Sequence, residues 1–561
     1  DIYVPLEGEI GFSNIIKFAL TVNQKNNIRN YVIEQSIDGC VVRDKNNILQ
    51  LDGPGFRTKA LDDIPSPYLT GLFDKFFDGR LSPLMQTNRG CPFQCTFCTD
   101  GVNEKQQVNQ FSMERVLDEI EYVGKHLPKK TSMLMLADLN FGMMPRDRKI
   151  CEALAESQKK YNYPRYIDCS TGKNSKDKII EALSILNGAL QIKLSVQSTD
   201  EQVMINMKRD NISTEQMLEL TPALRKNHLP SMTEIIVGLP GDTLQSNIKT
   251  IKDMMRVDVD QYLIYTLMLL HGSELNTPQE REKWGFKTKF RILPRSFTKL
   301  QSGKKVMEIE EVVVSSNTLH FEDYVKIRLL AFSIFVTNQP AFKPIIKFLR
   351  QNNVEIFDLF NRPLESENTP DGIKKLFNLF NEATVNELWD SPEEIIENFQ
   401  DETEYQKLLN DELGFNVIQF HQAIVTTKHM HDWTEYVISL GKTLLRENNI
   451  YDESKLEQYD DVANYCRGLS YNVMALDNTL EDPEFRFKYD ISTWSADPDI
   501  GSKILEEFQF DKLTTMKFIY TKEEIELFNN NMNIYGTSTN GIAQLLKRLP
   551  RYTLWRHAFT I

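Results

Sequence analysis

The stretch LMQTNRGCPFQCTFCTDG at residues 84–101 decides how the rest of the chain is interpreted. It places three cysteines, Cys91, Cys95 and Cys98, in a C-x3-C-x2-C spacing. The apolar pair Leu84–Met85 precedes them like the end of a strand, and a glycine-containing loop follows. Thiolates this close in sequence suit a single metal centre, so the three cysteines are predicted metal ligands.

The kind of metal centre follows from the number of ligands. Three thiolates can hold three irons of a [4Fe–4S] cluster and leave the fourth iron open, and an open position is typical of a catalytic site. The alternative is tetrahedral zinc, which needs a fourth Cys or His. His126 is the nearest candidate, and it lies on an amphipathic helical pattern. The spacing favours the cluster, with zinc as the alternative.

Size and charge limit the classes of protein to consider. A chain of 561 residues is too long for a single core, which predicts about two or three domains. The formal net charge of −14 argues against a non-specific nucleic-acid surface, which requires basic stripes. We therefore expect no nucleic-acid partner.

Cysteine usage and hydropathy indicate the compartment. The chain has seven cysteines, an odd number, and only three of them are grouped. A disulfide framework would show an even, distributed set, so a reducing, cytoplasmic location is expected. The sequence contains no long uncharged apolar run, so no transmembrane segment is expected.

Strand-like and helix-like patterns alternate from Pro83 onwards. Six strands that are each followed by a helix predict an α/β core with a parallel sheet, in the manner of a partial (β/α)6-type barrel. Catalytic groups in such barrels lie at the carboxyl ends of the strands, where the cysteine loop would also lie. After the first strand, the predicted strands are 132–138, 165–171, 190–198, 232–239 and 261–269. The predicted helices are 112–126, 145–160, 175–187, 200–208, 213–227 and 243–256.

Three domains are predicted along the chain. Residues 1–78 hold a helical pattern, a hairpin pattern and a linker rich in Pro, Gly and Asp. Residues 79–315 form the strand–helix core, and residues 316–561 form a mainly α-helical C-terminal domain. The chain opens DIYVPLEGEIGF, without an initiator methionine or a signal-like segment, so we expect an upstream domain to lie outside it.

The cysteine motif, with the aromatic residue Phe97 before its last cysteine, resembles the radical S-adenosylmethionine superfamily. The resemblance implies that the open iron of a [4Fe–4S] cluster binds S-adenosylmethionine. One electron then cleaves the cofactor to methionine and a 5′-deoxyadenosyl radical, and the protein orients the reactants. It also implies an external electron donor such as flavodoxin or ferredoxin.

Further segments resemble the members of that superfamily that carry an N-terminal cobalamin-binding domain. These segments are IPSPYLTGLFD (64–74), ADLNFGMMPRD (137–147), LSVQSTDEQVMINMKRDNIS (194–213), VGLPGDT (237–243) and FRILPRSF (290–297). The cobalamin domain of that group carries a D-x-H-x-x-G motif, and no such motif occurs here. The resemblance therefore implies cobalamin only through a domain missing from this chain, which would make the N-terminal segment its α/β remnant.

The resemblance also implies cofactor contacts for residues at the strand ends. Asp138 and Asn140 end the second strand and correspond to the region that holds the amino group of S-adenosylmethionine; the alternative is a strand-end turn. Ser195 and Gln197 alternate on the fourth strand and would reach the ribose or carboxylate, or else be satisfied within the sheet. Arg209 would fork onto the methionine carboxylate or form a surface salt bridge.

Two further positions complete the predicted cofactor contacts. Gly238 ends the fifth strand, where glycine lets the backbone approach adenine. Lys173 follows the third strand and would pair with a carboxylate, or be solvated. Family members often carry Glu where this chain has Asp242, so that carboxylate is expected to cap the next helix. The predicted cofactor-binding set is Phe97, Asp138, Asn140, Lys173, Ser195, Gln197, Arg209 and Gly238.

Three functions are compatible with these patterns. The first is a radical S-adenosylmethionine enzyme that modifies a small-molecule or peptide substrate by cobalamin-dependent C-methylation or a related radical reaction. The second is a cobalamin-independent radical enzyme that rearranges or oxidises its substrate. The third is a non-catalytic iron–sulfur or zinc scaffold with its C-terminal region as the interaction surface. The sequence singles out no catalytic residue beyond the cofactor contacts.

Overall fold

The computed structural model of the chain divides into two compact units. The first unit comprises Asp1–Pro92 and Glu104–Ser170, and the second comprises Phe93–Asn103 and Thr171–Ile561. These limits differ from the predicted boundaries at 78 and 315, so the three-domain division stays a prediction. The structure describes residues 2–22, 37–44, 46, 48–52, 55, 57–172, 174, 176–226, 229–365, 367, 369–450, 452–475, 482–497, 503–549 and 551–561.

The first unit begins with a small antiparallel sheet and one helix. Strand β2 pairs with β3 from Cys40 opposite Asp52 to Arg43 opposite Leu49, which confirms the predicted hairpin. Cys40 and Val42 form a small core with partly buried Ile15. These elements are β1 Ile2–Tyr3, helix α1 Gly8–Thr21, β2 Cys40–Arg43 and β3 Leu49–Asp52.

The rest of the first unit follows the predicted alternation. A three-stranded sheet has the order β4-β7-β8, with β4 parallel to β7. The helix after the cysteine loop starts at its predicted place because the Ser112 hydroxyl accepts a hydrogen bond from the backbone of Arg115. The elements are β4 Leu84–Met85, β5 Asn88–Arg89, β6 Asn109–Gln110, α2 Met113–His126, β7 Met133–Phe141, α3 Asp147–Tyr161 and β8 Tyr166–Thr171.

The second unit continues the alternation with a second three-stranded sheet, in the order β11-β10-β9, and all its pairs are parallel. The predicted strand 190–198 is shorter in the structure, where only Ile192–Lys193 form a strand. Gln197, with φ +64°, forms an isolated parallel bridge to Ile235. The elements are α4 Lys176–Ser184, β9 Ile192–Lys193, α5 Glu201–Asn206, α6 Thr214–Lys226, β10 Ser231–Val237, α7 Leu244–Val257 and β11 Gln261–Thr266.

A ribbon and a helical region complete the second unit. Helices predominate after residue 316, as predicted, but β14, β15 and β16 form an antiparallel sheet that the prediction missed. The ribbon and strands are β12 Lys287–Lys299, β13 Lys305–Ser315, β14 Glu484–Tyr489, β15 Gln509–Ile519 and β16 His557–Thr560. The helices are α8 Pro278–Trp284, α9 Phe321–Thr337, α10 Lys343–Gln351, α11 Ile356–Glu365, α12 Asp371–Asn386, α13 Pro392–Asn398, α14 Glu402–Leu409, α15 Val417–Ile424, α16 Met430–Glu447, α17 Glu453–Ser470, α18 Ile491–Ala496, α19 Lys522–Tyr535 and α20 Thr539–Arg548.

The lengths and apolar character of the helices bear on the expectation that the chain has no transmembrane segment. Within the described segments, no single helix has both the length and the apolar character to cross a bilayer. The pair Phe321–Thr337 and Pro340–Gln351, bent by 76°, meets the requirement only by length and composition.

Candidate functional site

The boundary between the two units falls inside the cysteine loop, so Cys91 belongs to the first unit. Its side chain is buried, and its backbone N–H donates to the carbonyl of Lys105 at 2.9 Å. The preceding Gly90 has φ +110°, and a Cβ there would lie 2.3 Å from the Gln107 carbonyl oxygen. Only glycine fits this approach. The Asn140 amide donates to the Cys91 Sγ at 3.3 Å.

Cys95 and Cys98 belong to the second unit, where the backbone holds the loop between them. The Thr96 N–H donates to the Met207 carbonyl at 3.1 Å, and the Thr96 carbonyl accepts from Leu275 N–H at 3.1 Å. A Cβ at Gly101 would lie 2.4 Å from the Cys95 carbonyl oxygen, so that position also requires glycine.

Phe97 anchors the same loop through its ring. The ring packs against a buried cluster that includes Val203, Met207 and Leu239. Beyond it, the Asp100 N–H lies 3.4 Å from the Cys98 Sγ, in position to donate to it. The aromatic residue of the motif therefore fixes the loop to the core of the second unit.

Arg209 lies beside Cys95 with only 7% of its surface exposed. Its Nη1 donates to the Cys95 Sγ at 3.5 Å, and its Nη2 donates to the Ser195 carbonyl. Its Nε donates to Asn211 Oδ1 at 2.9 Å. The alternative of a surface salt bridge is therefore wrong.

The arrangement of the cysteine side chains bears on metal binding. None of the seven cysteines, all of which lie in described segments, forms a disulfide. Among the described residues, no three His, Cys, Asp or Glu side chains are gathered as metal ligands. The N–H donors aimed at the sulfurs of Cys91 and Cys95 suit thiolates and so fit a thiolate-held cluster. The ligand assignment of the three cysteines stays a prediction.

Asp138 lies on the packed face of β7, which also carries Leu134 and Leu136. Its carboxylate accepts from the Thr87 N–H at 2.7 Å, from the Thr87 hydroxyl, and from the Asn88 amide at 2.8 Å. Burial raises the pKa of Asp138, and the hydrogen bonds from Thr87 oppose that rise. These bonds fix the segment that leads into Gly90 and Cys91. Its predicted contact with S-adenosylmethionine stays a prediction.

The sheet of the second unit has one packed face and one open face. Glu234, Ile236, Leu263 and Tyr265 lie on the open face, since β10 and β11 pair Glu234 with Leu263 and Ile236 with Tyr265. The Ser195 hydroxyl donates to Glu234 Oε2 at 2.5 Å on this face.

Sequence reasoning missed Glu234, although it is the only charged residue in the apolar run MTEIIVGL. Burial, and to a lesser extent the nearby Glu234 carboxylate, raises the pKa of Tyr265 to about 12, so the phenol stays protonated at neutral pH. Ser195 and Glu234 thus form a hydrogen-bonded pair on the open face, and Tyr265 lies on the same face. A charged residue inside an apolar strand was the signal that could have found Glu234.

Gln197 and Gly238 lie at the carboxyl end of the same sheet. Gln197 is 7% exposed, and its Oε1 has no partner among the described residues. Gly238 has φ +90°, and its N–H donates to Asp242 Oδ2 at 3.1 Å. Asp242 also accepts from the Thr243 N–H at 3.1 Å, and burial raises its pKa to about 6. The expectation that Asp242 caps the next helix is wrong, because the cap is Thr243, whose hydroxyl accepts from the Ser246 N–H. Lys173 lies outside the described residues.

The predicted residues therefore fall into distinct groups. Arg209 joins Cys95 to Ser195, and the Gln197 amide lies 3.5 Å from the Ser195 carbonyl oxygen. Asn140 joins Cys91 within the first unit. Each group brings a neutral or cationic donor to the cysteine loop, which suits binding and orientation of an anionic sulfur centre.

Comparisons with known proteins find one matching family and several relatives. Residues 85–254 match the Radical SAM superfamily model. The cobalamin-dependent radical SAM methyltransferase TokK of Streptomyces tokunonensis is 32% identical over 282 residues, which are 48% of this chain and 40% of that protein. The 2-(S-pantetheinyl)-carbapenam-3-carboxylate methyltransferase of Streptantibioticus cattleyicolor is 30% identical over 284 residues, covering 48% of this chain and 41% of that protein.

Among solved structures, the cobalamin-dependent S-adenosylmethionine radical enzyme OxsB with aqua-cobalamin bound is 14% identical, with a TM-score of 0.40, over 82% of this chain and 68% of that one. The chain spans about two fifths of the length of the two methyltransferases, 40% and 41%. Residues 85–254 of this chain therefore match the Radical SAM superfamily, and one relative of the chain is a cobalamin-dependent radical SAM methyltransferase.

Proposed function

We propose that this chain is a radical S-adenosylmethionine enzyme that modifies its substrate by cobalamin-dependent C-methylation or a related radical reaction. The observation that carries the proposal is the pair of donors on the motif sulfurs, from Arg209 to Cys95 and from Asn140 to Cys91. A structural thiol needs no such donors, whereas a thiolate that ligates iron is tuned by them.

Cys91, Cys95 and Cys98 would hold the [4Fe–4S] cluster. When bound, that cluster supplies one electron for reductive cleavage of the sulfonium bond of S-adenosylmethionine. The protein residues do the positioning. Arg209 holds Cys95 and the Ser195 carbonyl in one hydrogen-bonded unit, so the loop and the strand end move together.

The open face of the β9–β11 sheet would orient the organic part of the cofactor. The Glu234 carboxylate, already bonded to the Ser195 hydroxyl at 2.5 Å, can accept from ribose hydroxyls. The unpartnered Gln197 Oε1 is a second acceptor, since a buried oxygen without a donor favours a ligand that supplies one. Gly238 would leave room for adenine near the backbone. Strand–helix order supports a partial (β/α)6-type barrel around these residues.

Cobalamin is the proposed methyl carrier because a curated relative is a cobalamin-dependent methyltransferase. The D-x-H-x-x-G motif is absent from the 561 residues, so no residue of this chain is assigned to cobalamin and no step is derived through it. A flavodoxin or ferredoxin is the proposed electron donor. The cytoplasm is the proposed compartment, because thiols stay reduced there.

Electron paramagnetic resonance tests the proposal against the scaffold alternative. The full chain is reconstituted anaerobically with iron and sulfide, reduced, and measured with and without S-adenosylmethionine. We expect the cluster signal to change on addition of the cofactor, because the cofactor binds at the open iron. A signal that the cofactor leaves unchanged would favour a non-catalytic iron–sulfur scaffold. Absence of any cluster together with stoichiometric zinc would favour the zinc alternative.

A further inference from the structure

A cavity of about 850 Å³ lies at the other end of the β9–β11 sheet. Its lining includes Asn187–Gly188 before β9, Pro230–Ser231 at the start of β10, and Val257–Asp260 before β11. These segments meet the amino ends of the strands. Ser195, Gln197 and Gly238 follow the opposite, carboxyl ends, so the cavity is separate from the proposed radical site.

The opposite wall of the cavity comes from the C-terminal region of the second unit. Lys343, Lys347 and Arg350 line it from α10, where their spacing of four and three residues places them on one helix face. Trp555 and Arg556 line it from the segment before β16. The volume is in the range of sites for small organic ligands, and it exceeds what one inorganic ion fills.

Positive charge exceeds negative charge in the lining. Asp258 is shared between Arg225 and Arg350, with Arg350 Nη2 at 3.0 Å from its Oδ1. Asp260 Oδ2 is occupied by the N–H and hydroxyl of Ser231, at 2.8 and 2.9 Å. The cavity is lined by five cationic residues, Arg225, Lys343, Lys347, Arg350 and Arg556, and by three aspartates, Asp258, Asp260 and Asp497.

Lys343 is a cation of the lining that has no ion-pair partner among the described residues. In the described part of the chain, its ammonium group has no hydrogen-bond acceptor and no carboxylate within ion-pair distance. Burial lowers its pKa, and the attraction of Asp258 and Asp260 opposes that shift. A partly buried ammonium without a direct ion pair is costly, so the site favours an added anion.

Residues of the same lining also carry N–H donors without an acceptor. Arg556 is 1% exposed, and its Nη2 has no acceptor among the residues that the structure describes. The same holds for Arg350 Nε and for the indole N–H of Trp555. Phosphate offers three terminal oxygens to several donors at once, whereas a carboxylate offers two.

We propose that this cavity binds a small organic molecule that carries a phosphate group. The phosphate would lie against Lys343, and Arg350 and Arg556 of the lining would add positive charge around it. The organic part would lie against the aromatic side chains of the lining, among them Tyr465 and Trp555. The ligand would join the amino ends of the sheet to the C-terminal region, and so stabilise the second unit. The inference does not depend on the proposed function.

The test measures binding to the full chain in phosphate-free buffer of constant ionic strength, without any need for the cluster. Thermal unfolding is followed with adenosine monophosphate, inorganic pyrophosphate and adenosine. We expect adenosine monophosphate at saturation to raise the melting temperature by roughly 2 °C or more beyond any rise with adenosine, which lacks the phosphate. A rise with pyrophosphate alone would identify a free phosphate site instead of an organic phosphate site. No rise with either phosphate would overturn the proposal.

Matched lysine variants locate the site. Lys343→Gln is expected to weaken binding of adenosine monophosphate about tenfold or more by calorimetry, because one charge-assisted hydrogen bond is lost. Lys304→Gln, which neutralises an exposed lysine in the β12–β13 turn, is expected to bind like the parent. Without ligand, Lys343→Gln should melt at or above the parent temperature, since it removes a cation that lacks a counter-ion. Equal binding by Lys343→Gln and the parent would place the ligand elsewhere and overturn the assignment.

Discussion

The two units place different donors on the motif sulfurs. In the first unit, the neutral amide of Asn140 donates to Cys91 at 3.3 Å. In the second unit, the guanidinium of Arg209 donates to Cys95 at 3.5 Å. A hydrogen bond from a charged donor contributes roughly twice as much as one from a neutral donor. We therefore expect the second unit to control the electronic properties of the sulfurs more strongly than the first.

The carboxylates of the two units differ in the same sense. Asp138 and Asp147 of the first unit are buried and bonded to their own chain. Glu234 of the second unit lies on the open face, bonded to one hydroxyl. In the first unit, Asp138 thus holds the segment that leads to Cys91, and Asp147 holds the turn between β7 and α3. The second unit leaves the Glu234 carboxylate available to a ligand.

The most severe test of this comparison removes a sulfur. In Cys95→Ala, we expect cleavage of S-adenosylmethionine to 5′-deoxyadenosine to fall to the background of iron-free protein, because the cluster loses a ligand. Product is measured by chromatography, and bound iron by a colorimetric assay. Cys466→Ala, at a buried cysteine outside the motif, serves as the control and should cleave like the parent. Cleavage of S-adenosylmethionine by Cys95→Ala at the rate of the parent would contradict the proposed function.

A second test compares the two donors directly. Arg209→Gln should slow cleavage about tenfold to a hundredfold, since a charged donor is worth about 1.5–3 kcal/mol. Asn140→Ala should slow it about two- to tenfold, as expected for a neutral donor. The midpoint potential of the cluster should become more negative in both variants, and further so in Arg209→Gln, because donors to sulfur stabilise the reduced form.

Controls separate charge from packing in this comparison. Arg209→Lys keeps the charge and should recover part of the change in midpoint potential. Arg256→Gln, which neutralises an arginine exposed on α7, is the control for loss of a positive charge elsewhere. Equal losses in Arg209→Gln and Asn140→Ala would break the comparison between the units.

The course of the strands and helices could be predicted from the sequence because it follows hydrophobic periodicity. The helix predicted at 112–126 is observed at Met113–His126, and the strand predicted at 261–269 is observed at Gln261–Thr266. The sheet around β14 was missed, although its sequence EFRFKY alternates polar and apolar residues. Six residues of alternation in a long helical region were too short a signal to change the interpretation.

The roles of the strand-end residues could not be predicted in this way. Asp138 and Glu234 both interrupt apolar strands, yet one is enclosed by Thr87 and Asn88 while the other lies on an open face. Which face a residue occupies depends on register, and which donors reach it depends on distant segments. Arg209 was proposed from the resemblance, but its burial against Cys95 depends on the fold of the loop.

A third test asks whether the open face binds the cofactor. Glu234→Ala and Ser195→Ala should each raise the KM for S-adenosylmethionine about two- to tenfold and change kcat less, as expected when binding is lost uniformly. The double variant should cost less than the two single effects combined, because the two side chains share a hydrogen bond. Glu234→Gln keeps an acceptor for the Ser195 hydroxyl and should lie between parent and Glu234→Ala. Unchanged KM values in all variants would mean that the open face does not contact the cofactor.

The smallest expected effect concerns a buried acid of the first unit. Asp147 Oδ2 accepts from the N–H groups of Gly142 and Met144, at 2.8 and 3.0 Å, while its buried Oδ1 has no partner among the described residues. Burial raises its pKa from 3.8 to about 6. The folded state therefore binds this proton more tightly than the unfolded state does, and stability decreases as the pH rises from about 4 to about 6.

The shift corresponds to about 3 kcal/mol at 1.36 kcal/mol per pH unit, lost between the unfolded pKa and the folded one. Asp147→Asn is neutral at every pH, so its free energy of unfolding should lack this slope and should approach or exceed that of the parent at pH 7. Urea unfolding at pH 4.5 to 7.5 measures the difference, with Asp118→Asn, an exposed position on α2, as the control. Parallel pH profiles of unfolding free energy for the parent and Asp147→Asn would show that folding does not raise the pKa of Asp147. The buried carboxylates of the first unit would then not differ in this respect from the carboxylate on the open face of the second unit.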